Sequence, residues 1–134
     1  MKTASLRTRT LWMCGFALFV WITRIKNAAG DGAMSHTGKT IAIITSLLFV
    51  ATAIALVVAS LRRFPGARVG AIVFGGVSGV YWIARAIIIA ARDHSAGFKA
   101  VHIVLALISV GLAAWTLRAA VVRSTSRDRA RTPA

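Results

Sequence analysis

The amino-acid sequence predicts an all-α, polytopic membrane protein with four transmembrane helices, arranged as two tandem helical hairpins. Of the 134 residues, 57% are hydrophobic, which leaves too little polar surface to cover a water-soluble domain. Four apolar stretches, at about residues 10–29, 40–61, 69–91 and 100–121, approach or exceed the roughly 20 residues that a bilayer-spanning helix needs. The stretches lack the alternation of a membrane β-barrel, so helices are favoured over strands.

The chain divides into two hairpins and a tail, and none of these parts is long enough to contain a separate soluble domain. Hairpin one covers about residues 10–61, hairpin two about 69–121, and a basic tail follows at 122–134. The link between the hairpins contains Pro65 and Gly66, which end a helix, and three arginines that do not enter a bilayer. The tail is polar and arginine-rich, so we expect a frayed or disordered end from residue 124 onward. We therefore predict a single membrane domain over residues 1–134.

Most of the basic residues form three clusters, which fall on one side of a membrane that is crossed four times. Positive charge marks the cytoplasmic side, so both termini and the middle link are predicted there. The net charge of +14 is then a topology signal and an attraction to anionic headgroups, and we expect no nucleic-acid partner. The clusters are Lys2, Arg7 and Arg9, then Arg62, Arg63 and Arg68, then Arg118, Arg123, Arg127, Arg129 and Arg131.

The first apolar stretch also has features of a secretory signal peptide. Basic residues precede it, and Ala28-Ala29-Gly30 is similar to a cleavage site. However, Arg24 and Lys26 lie in the region that is uncharged in a signal peptide. These two charges therefore favour a helix that stays in the protein over a signal peptide that is cleaved off.

One pattern occurs twice in the chain and predicts an internal repeat. Trp21-Ile22-Thr23-Arg24 is followed 61 positions later by Trp82-Ile83-Ala84-Arg85. Each copy precedes a polar segment with a histidine, a glycine and a lysine, and then a second apolar stretch. Because each half contains an even number of spans, duplicated halves would be related by a pseudo-twofold axis along the membrane normal. Arg24 and Arg85 would then lie at equivalent heights in the outer leaflet.

Arg24 and Arg85 are the candidate functional residues, together with Trp21 and Trp82 beside them. One interpretation is that the tryptophans lie in the membrane interface while the arginines reach up to lipid phosphates. The other is that the arginines face the bundle interior and bind a lipid headgroup, a carboxylate or phosphate ligand, or an acidic residue of a partner. The acidic residues all lie outside the predicted spans, namely Asp31, Asp93 and Asp128. The charges of the two arginines must therefore be neutralised by an aspartate of a loop that folds inward or by an external anion.

Small residues repeat every fourth position on two of the predicted spans. Such stripes let helix backbones approach closely, which is a main route to helix association in lipid. We predict that the stripes are helix-packing positions, either against each other or against another protein. They comprise Ala51, Ala55 and Ala59 on the second span and Ala71, Gly75 and Gly79 on the third.

Catalysis, metal binding and cofactor binding have little support in the sequence. It contains no paired carboxylates and no glycine-rich phosphate loop between a strand and a helix. His36, His94 and His102 lack the spacing of a helical metal pair, and we predict polar interface roles for them. The single Cys14 is expected to pack as a small apolar residue. We therefore predict a protein that is not an enzyme, with no metal and no cofactor.

The segment Trp21-Ile-Thr-Arg-Ile-Lys-Asn27, followed by Asp31 in a small chain rich in alanine and arginine, resembles small four-helix integral membrane proteins of bacteria with GC-rich genomes. The resemblance covers about the first half of the chain and implies a bacterial plasma (inner) membrane location, but no activity. In size alone, the chain is also similar to small multidrug resistance transporters. Those transporters depend on a first-helix glutamate, and this sequence has no acidic residue there.

Two functions from different classes are consistent with these features. The first is a noncatalytic accessory or scaffold subunit of a larger inner-membrane complex. In this complex, partner helices or anionic lipids would pack on the small-residue stripes and bind the arginines. The second is a homo-oligomeric unit that binds or translocates an anionic lipid or amphiphile through Arg24 and Arg85. Identifying the molecules that co-purify with the protein would separate the two.

Overall fold

The computed structural model contains four helices over residues 5–129, the part of the chain that is described, with side chains described through residue 122. Helix α1 spans Leu6–Gly30, α2 His36–Leu61, α3 Ala67–Ala91 and α4 Ala96–Arg129. Each predicted apolar stretch lies within one of these helices, which confirms the all-α fold class.

The end of α4 differs from the sequence prediction. A frayed or disordered segment was predicted from residue 124, but the helix continues to Arg129. No proline or glycine occurs between residues 122 and 129, so nothing in the local sequence stops the helix there. The rest of the predicted tail, residues 130–134, lies outside the described residues.

Three of the four helices are long and apolar enough to cross a membrane, namely α2, α3 and the Ala96–Val122 part of α4. Helix α1 does not meet the same standard of length and composition. It has 25 residues, enough for roughly 37 Å of helix. However, Arg7 and Arg9 near its start and Arg24 and Lys26 near its end shorten the apolar stretch between them.

Serine caps and a left-handed residue define several of the helix ends. The side chains of Ser5, Ser35 and Ser95 accept hydrogen bonds from backbone N–H groups three residues later, at 3.2, 3.2 and 3.4 Å. At the end of α2, Arg63 has a φ of 55°, and the Phe64 N–H donates to the Ala59 carbonyl at 2.9 Å. This Schellman arrangement ends α2 at Leu61, four residues before Pro65.

The helices form a bundle in which α1 packs most extensively on α2, and α3 on α4, with smaller α1–α4 and α2–α3 contacts. Its interior contains many small and hydroxyl-bearing residues, while many large apolar side chains lie on the outside. Buried hydroxyls donate to carbonyls of their own helices, as Ser46 does to Ala42 at 2.6 Å and Thr116 to Leu112 at 2.8 Å. This arrangement suits a bundle whose surrounding solvent is lipid.

The buried positions of α1 and α3 correspond closely at a separation of 61 residues. From Trp21 to Gly30, the order of buried, half-buried and exposed residues is the same as from Trp82 to Ala91. Buried positions in the other two helices also correspond, at a separation of 60 residues. Examples are Ala53 with Ala113, Leu56 with Thr116, and Ser60 with Ala120.

Gly75 and Gly79 of the α3 stripe face residues outside the α2 stripe. A Cβ atom on Gly75 would lie 3.5 Å from Met13 Sδ and 3.6 Å from Leu117 Cγ, so this part of the α3 stripe faces α1 and α4. On α2, Ala51 and Ala55 are exposed. Helix α2 instead approaches α3 near the middle link, where a Cβ on Gly70 would lie 3.1 Å from Leu56 Cδ1.

Candidate anion-binding cleft

A cleft of about 680 Å³ opens near the end of the bundle that carries the α1–α2 and α3–α4 links. We call this end of the bundle the link end. Apolar side chains, including Val20, Ile89 and Leu105, form much of the wall of the cleft. Its volume lies within the range of about 300–1,000 Å³ that is typical of small-molecule sites. The polar and charged residues that line it are Thr23, Arg24, Asn27, Asp31, Arg85, Arg92, His94 and His102.

Arg24 and Arg85 both line this cleft, from α1 and α3 respectively. Arg24 lies six residues before Gly30 and Arg85 six before Ala91, so each is roughly 9 Å along its helix from the link end. Both side chains are half-buried. The structure therefore brings the two predicted arginines together at matching depth.

The Nε atoms of both arginines are buried and have no hydrogen-bond partner within the described part of the chain. The Arg24 guanidinium lies over the Trp21 ring, with Cζ 5.8 Å from the ring centroid. Arg92 lines the same cleft, so three arginines share it. The cleft thus concentrates positive charge while leaving guanidinium N–H donors free.

The two predicted tryptophans are buried rather than placed in a membrane-facing belt. Trp21 is 1% exposed and Trp82 is 6% exposed. Trp21 stacks on Phe49 with ring centroids 4.2 Å apart, and it also contacts Tyr81 and Trp82. Trp82 lines the cleft directly. This aromatic cluster ties α1 and α3 together, one turn from each arginine.

Three further residues in the cleft were not grouped with the arginines by sequence reasoning. Arg92 follows α3, while His94 and His102 lie on either side of Phe98 with ring-centroid distances of 4.7 and 4.0 Å. The Nδ1 atom of His102 lies 2.9 Å from the Phe98 carbonyl oxygen. Because a carbonyl can only accept, Nδ1 is the donor and Nε2 remains free. The seven-residue spacing from Arg85 to Arg92 was the available sequence signal, since it places both at similar angles around α3.

The cleft also contains one carboxylate, that of Asp31. Its Oδ1 accepts a hydrogen bond from the Ala33 N–H at 2.9 Å, which fixes the turn that follows α1. Three arginines and one aspartate therefore line the cleft, which leaves two positive charges in excess when the histidines are neutral. Within residues 5–122, no group of three or more His, Cys, Asp and Glu residues could hold a metal ion.

Two lysines cap the helix ends beside the cleft in matching ways. Lys39 Nζ donates to the Ala29 carbonyl at 3.3 Å, and Lys99 Nζ donates to the Ala90 carbonyl at 3.2 Å. The C-terminal ends of α1 and α3 carry partial negative charge, which would repel an anion. The two ammonium groups offset that charge at both ends.

No protein-family model, curated protein or solved structure matches this chain. The chemistry of the cleft must therefore indicate the function. It combines an apolar wall, free guanidinium donors and an excess of positive charge, which suits recognition of an anion that carries an apolar group.

Proposed function

We propose that this protein binds an anionic amphiphile from the membrane and that Arg24 and Arg85 hold its headgroup in the cleft. The observation that carries the proposal is that Arg24 and Arg85 both line one cavity while the Nε of each has no hydrogen-bond partner among the described residues. Leaving a buried polar group unsatisfied costs about 1–3 kcal/mol, and more for a charged group. A bound anion would satisfy both arginines through charge-assisted hydrogen bonds.

The walls of the cleft favour an amphiphile over a small hydrophilic anion. Phe19 and Val101 line the cleft and are also 65% and 58% exposed on the outside of the bundle. In a bilayer these side chains would contact acyl chains, so the cleft opens sideways into lipid. A ligand could thus place its headgroup between the arginines while its tail extends along the apolar wall.

The proposed location is the inner membrane of a bacterium. Helix α1 would cross it together with α2, α3 and α4, and both termini would lie in the cytoplasm. The buried residues of α1 run from Thr10 to Ala28, so this helix lies along the bundle for most of its length. Near its start, the Arg9 side chain donates to the Trp115 carbonyl of α4 at 2.9 Å. The positive-inside rule then places the cleft in the outer leaflet.

We also propose that the two halves form an internal repeat with a pseudo-twofold axis through the cleft. The matching burial patterns support it, as do the matching lysine caps at the two links. Equivalent positions occur in pairs along the cleft wall: Arg24 with Arg85, Ala28 with Ile89, and Asp31 with Arg92. Two tandem helical hairpins would thus build one shared site.

Lipid analysis of the protein purified in mild detergent tests the proposed function. We expect wild-type protein to retain an anionic amphiphile in a fixed molar ratio. Removal of a charge-assisted hydrogen bond costs about 1.5–3 kcal/mol, so Arg24→Gln or Arg85→Gln should each reduce retention about tenfold or more. Lys26→Gln is the matched control, because Lys26 is exposed on the same helix and does not line the cleft. Equal retention by all four proteins would contradict the proposal.

A second candidate function is an accessory or scaffold subunit of a larger membrane complex. The exposed positions of the α2 stripe, Ala51 and Ala55, support it because they offer a close-approach surface to a helix of another protein. A partner carboxylate could also meet the arginines, and a second copy of this chain could supply the partner helix. Stoichiometric co-purification of another membrane protein, lost on Ala55→Leu, would favour this function over lipid binding.

A further inference from the structure

We propose that the cleft prefers a phosphate monoester headgroup over a phosphodiester or a carboxylate. This inference rests on the proposed function, since it specifies which anionic amphiphile the same cleft selects. Its basis is the combination of excess charge, paired guanidinium donors and the free nitrogen of His102.

The charge of the cleft matches a dianion. Arg24, Arg85 and Arg92 face a single carboxylate, Asp31, so two positive charges are uncompensated while the histidines are neutral. A phosphate monoester carries about −1.5 to −2 charges near pH 7, because its second pKa is about 6. A phosphodiester or a carboxylate carries a single charge, so it would leave one arginine of the cleft unneutralised.

The donors also outnumber the oxygens that a singly charged group offers. Each guanidinium presents a planar fork that can bind two oxygens of one anion. Arg24 and Arg85 line the cleft from two different helices, and no described residue accepts a hydrogen bond from the Nε of either. One fork takes one lone pair of each carboxylate oxygen, whereas a phosphate monoester exposes three terminal oxygens and can accept a full fork from each of two sides.

His102 adds a group that complements a phosphate able to gain or lose a proton. Its Nδ1 donates to the Phe98 carbonyl, so the neutral ring offers Nε2 as an acceptor, and the protonated ring offers it as a donor. The charged groups that line the cleft with it are Arg24 and Asp31 from α1 and its end, and Arg85 and Arg92 from α3 and its end. A monoanionic phosphate monoester can donate its P–OH to the neutral ring, and a dianionic one can accept from the protonated ring, whereas a diester has no hydroxyl on phosphorus to donate.

Binding of lipids with identical tails tests the preference. The full-length protein in mild detergent is titrated with dioleoyl phosphatidic acid, a monoester, and with dioleoyl phosphatidylglycerol, a diester, at about pH 7.5, where the monoester is mostly dianionic. We expect about tenfold tighter binding of the monoester, from one additional charge-assisted contact. Arg92→Gln should weaken binding of the monoester more than binding of the diester, and so remove most of the preference, whereas Lys26→Gln, outside the cleft, should preserve it.

Glycerol 3-phosphate, a monoester without tails, distinguishes a lipid from a soluble ligand. We expect it to displace phosphatidic acid only at far higher concentration, because it lacks the apolar contacts. Displacement at equal concentration would overturn the assignment to a lipid. Equal affinity for the two lipids, with binding of both lost in Arg24→Gln and Arg85→Gln, would overturn the monoester preference but leave the proposed function intact. Binding of neither lipid, or binding unaffected by those variants, would overturn both.

Discussion

An arginine inside an apolar helix must reach the membrane surface, a polar cavity or an anion, because the bilayer interior solvates it poorly. Arg24 and Arg85 reach a largely apolar cleft that also contains other polar and charged groups, and their Nε atoms have no partner among the described residues. The repeated Trp-Ile-x-Arg pattern predicted that the two arginines are equivalent, and the structure places them at the same depth in one cleft. Sequence reasoning did not group Arg92 and His102 with them, because that grouping depends on how α4 begins against the end of α3.

Substitution of Asp31 should change the affinity for the ligand in the opposite direction from the arginine substitutions. Its carboxylate is the negative charge of the cleft wall, so Asp31→Asn should strengthen binding of an anionic amphiphile. Asparagine keeps an acceptor oxygen for the Ala33 N–H, so the turn should persist. Isothermal titration should show about threefold to tenfold tighter binding of phosphatidic acid, as expected for the loss of one partly screened repulsion. Weaker binding by a folded Asp31→Asn protein would show that this carboxylate helps to hold the ligand.

At the scale of the helices, apolar length predicted where they lie, but not the face that each one buries. The predicted stretch at 40–61 lies within α2, and the one at 69–91 within α3. The four-residue stripes predicted close packing, yet Ala51 and Ala55 on α2 are exposed while Gly75 on α3 is buried. Small-residue spacing identifies a face that permits close approach, but the partner of that face depends on the other helices.

Replacing Gly75 tests the packing of α3 against α1 and α4. A Cβ at this position would already lie 3.5 Å from Met13 Sδ, so alanine should be tolerated, whereas the larger Gly75→Leu side chain should force the helices apart. Overpacking of this kind costs about 1–3 kcal/mol. Gly76→Leu is the matched control, because a Cβ on Gly76 would meet no atom within 4 Å. Thermal unfolding in detergent should therefore show a lower midpoint for Gly75→Leu than for Gly76→Leu, and equal midpoints would contradict this packing.

For the whole molecule, composition was enough to predict an apolar exterior, and the bundle has one. Large aliphatic side chains lie outside, and small or hydroxyl-bearing ones fill much of the interior. The span predicted at 10–29 is not among the helices that are long and apolar enough to cross a membrane, because charges at both ends of α1 shorten its apolar stretch. The cleft itself could not be predicted, since it arises from the relative tilt and spacing of helices, which a linear pattern does not encode.

Cysteine labelling tests the proposed four-span topology. Cys14 is buried, and Cys14→Ala gives a cysteine-free background for single substitutions at 33, 66 and 96. With both termini in the cytoplasm, a membrane-impermeant maleimide added outside intact cells should label positions 33 and 96 but not 66. Permeabilised cells should show labelling at all three positions. Labelling of position 66 in intact cells, with protection of 33 and 96, would reverse the orientation and move the cleft to the inner leaflet.

Native mass spectrometry of the double arginine variants tests the central claim most directly. If the two guanidinium forks hold an anionic headgroup, the Arg24→Lys, Arg85→Lys double variant should lose much of the bound amphiphile, because an ammonium is a point charge without a planar fork. The corresponding double glutamine variant should lose more, and Lys26→Gln should retain the wild-type amount. Retention of the amphiphile at wild-type level in both the double lysine and the double glutamine variants would contradict the account.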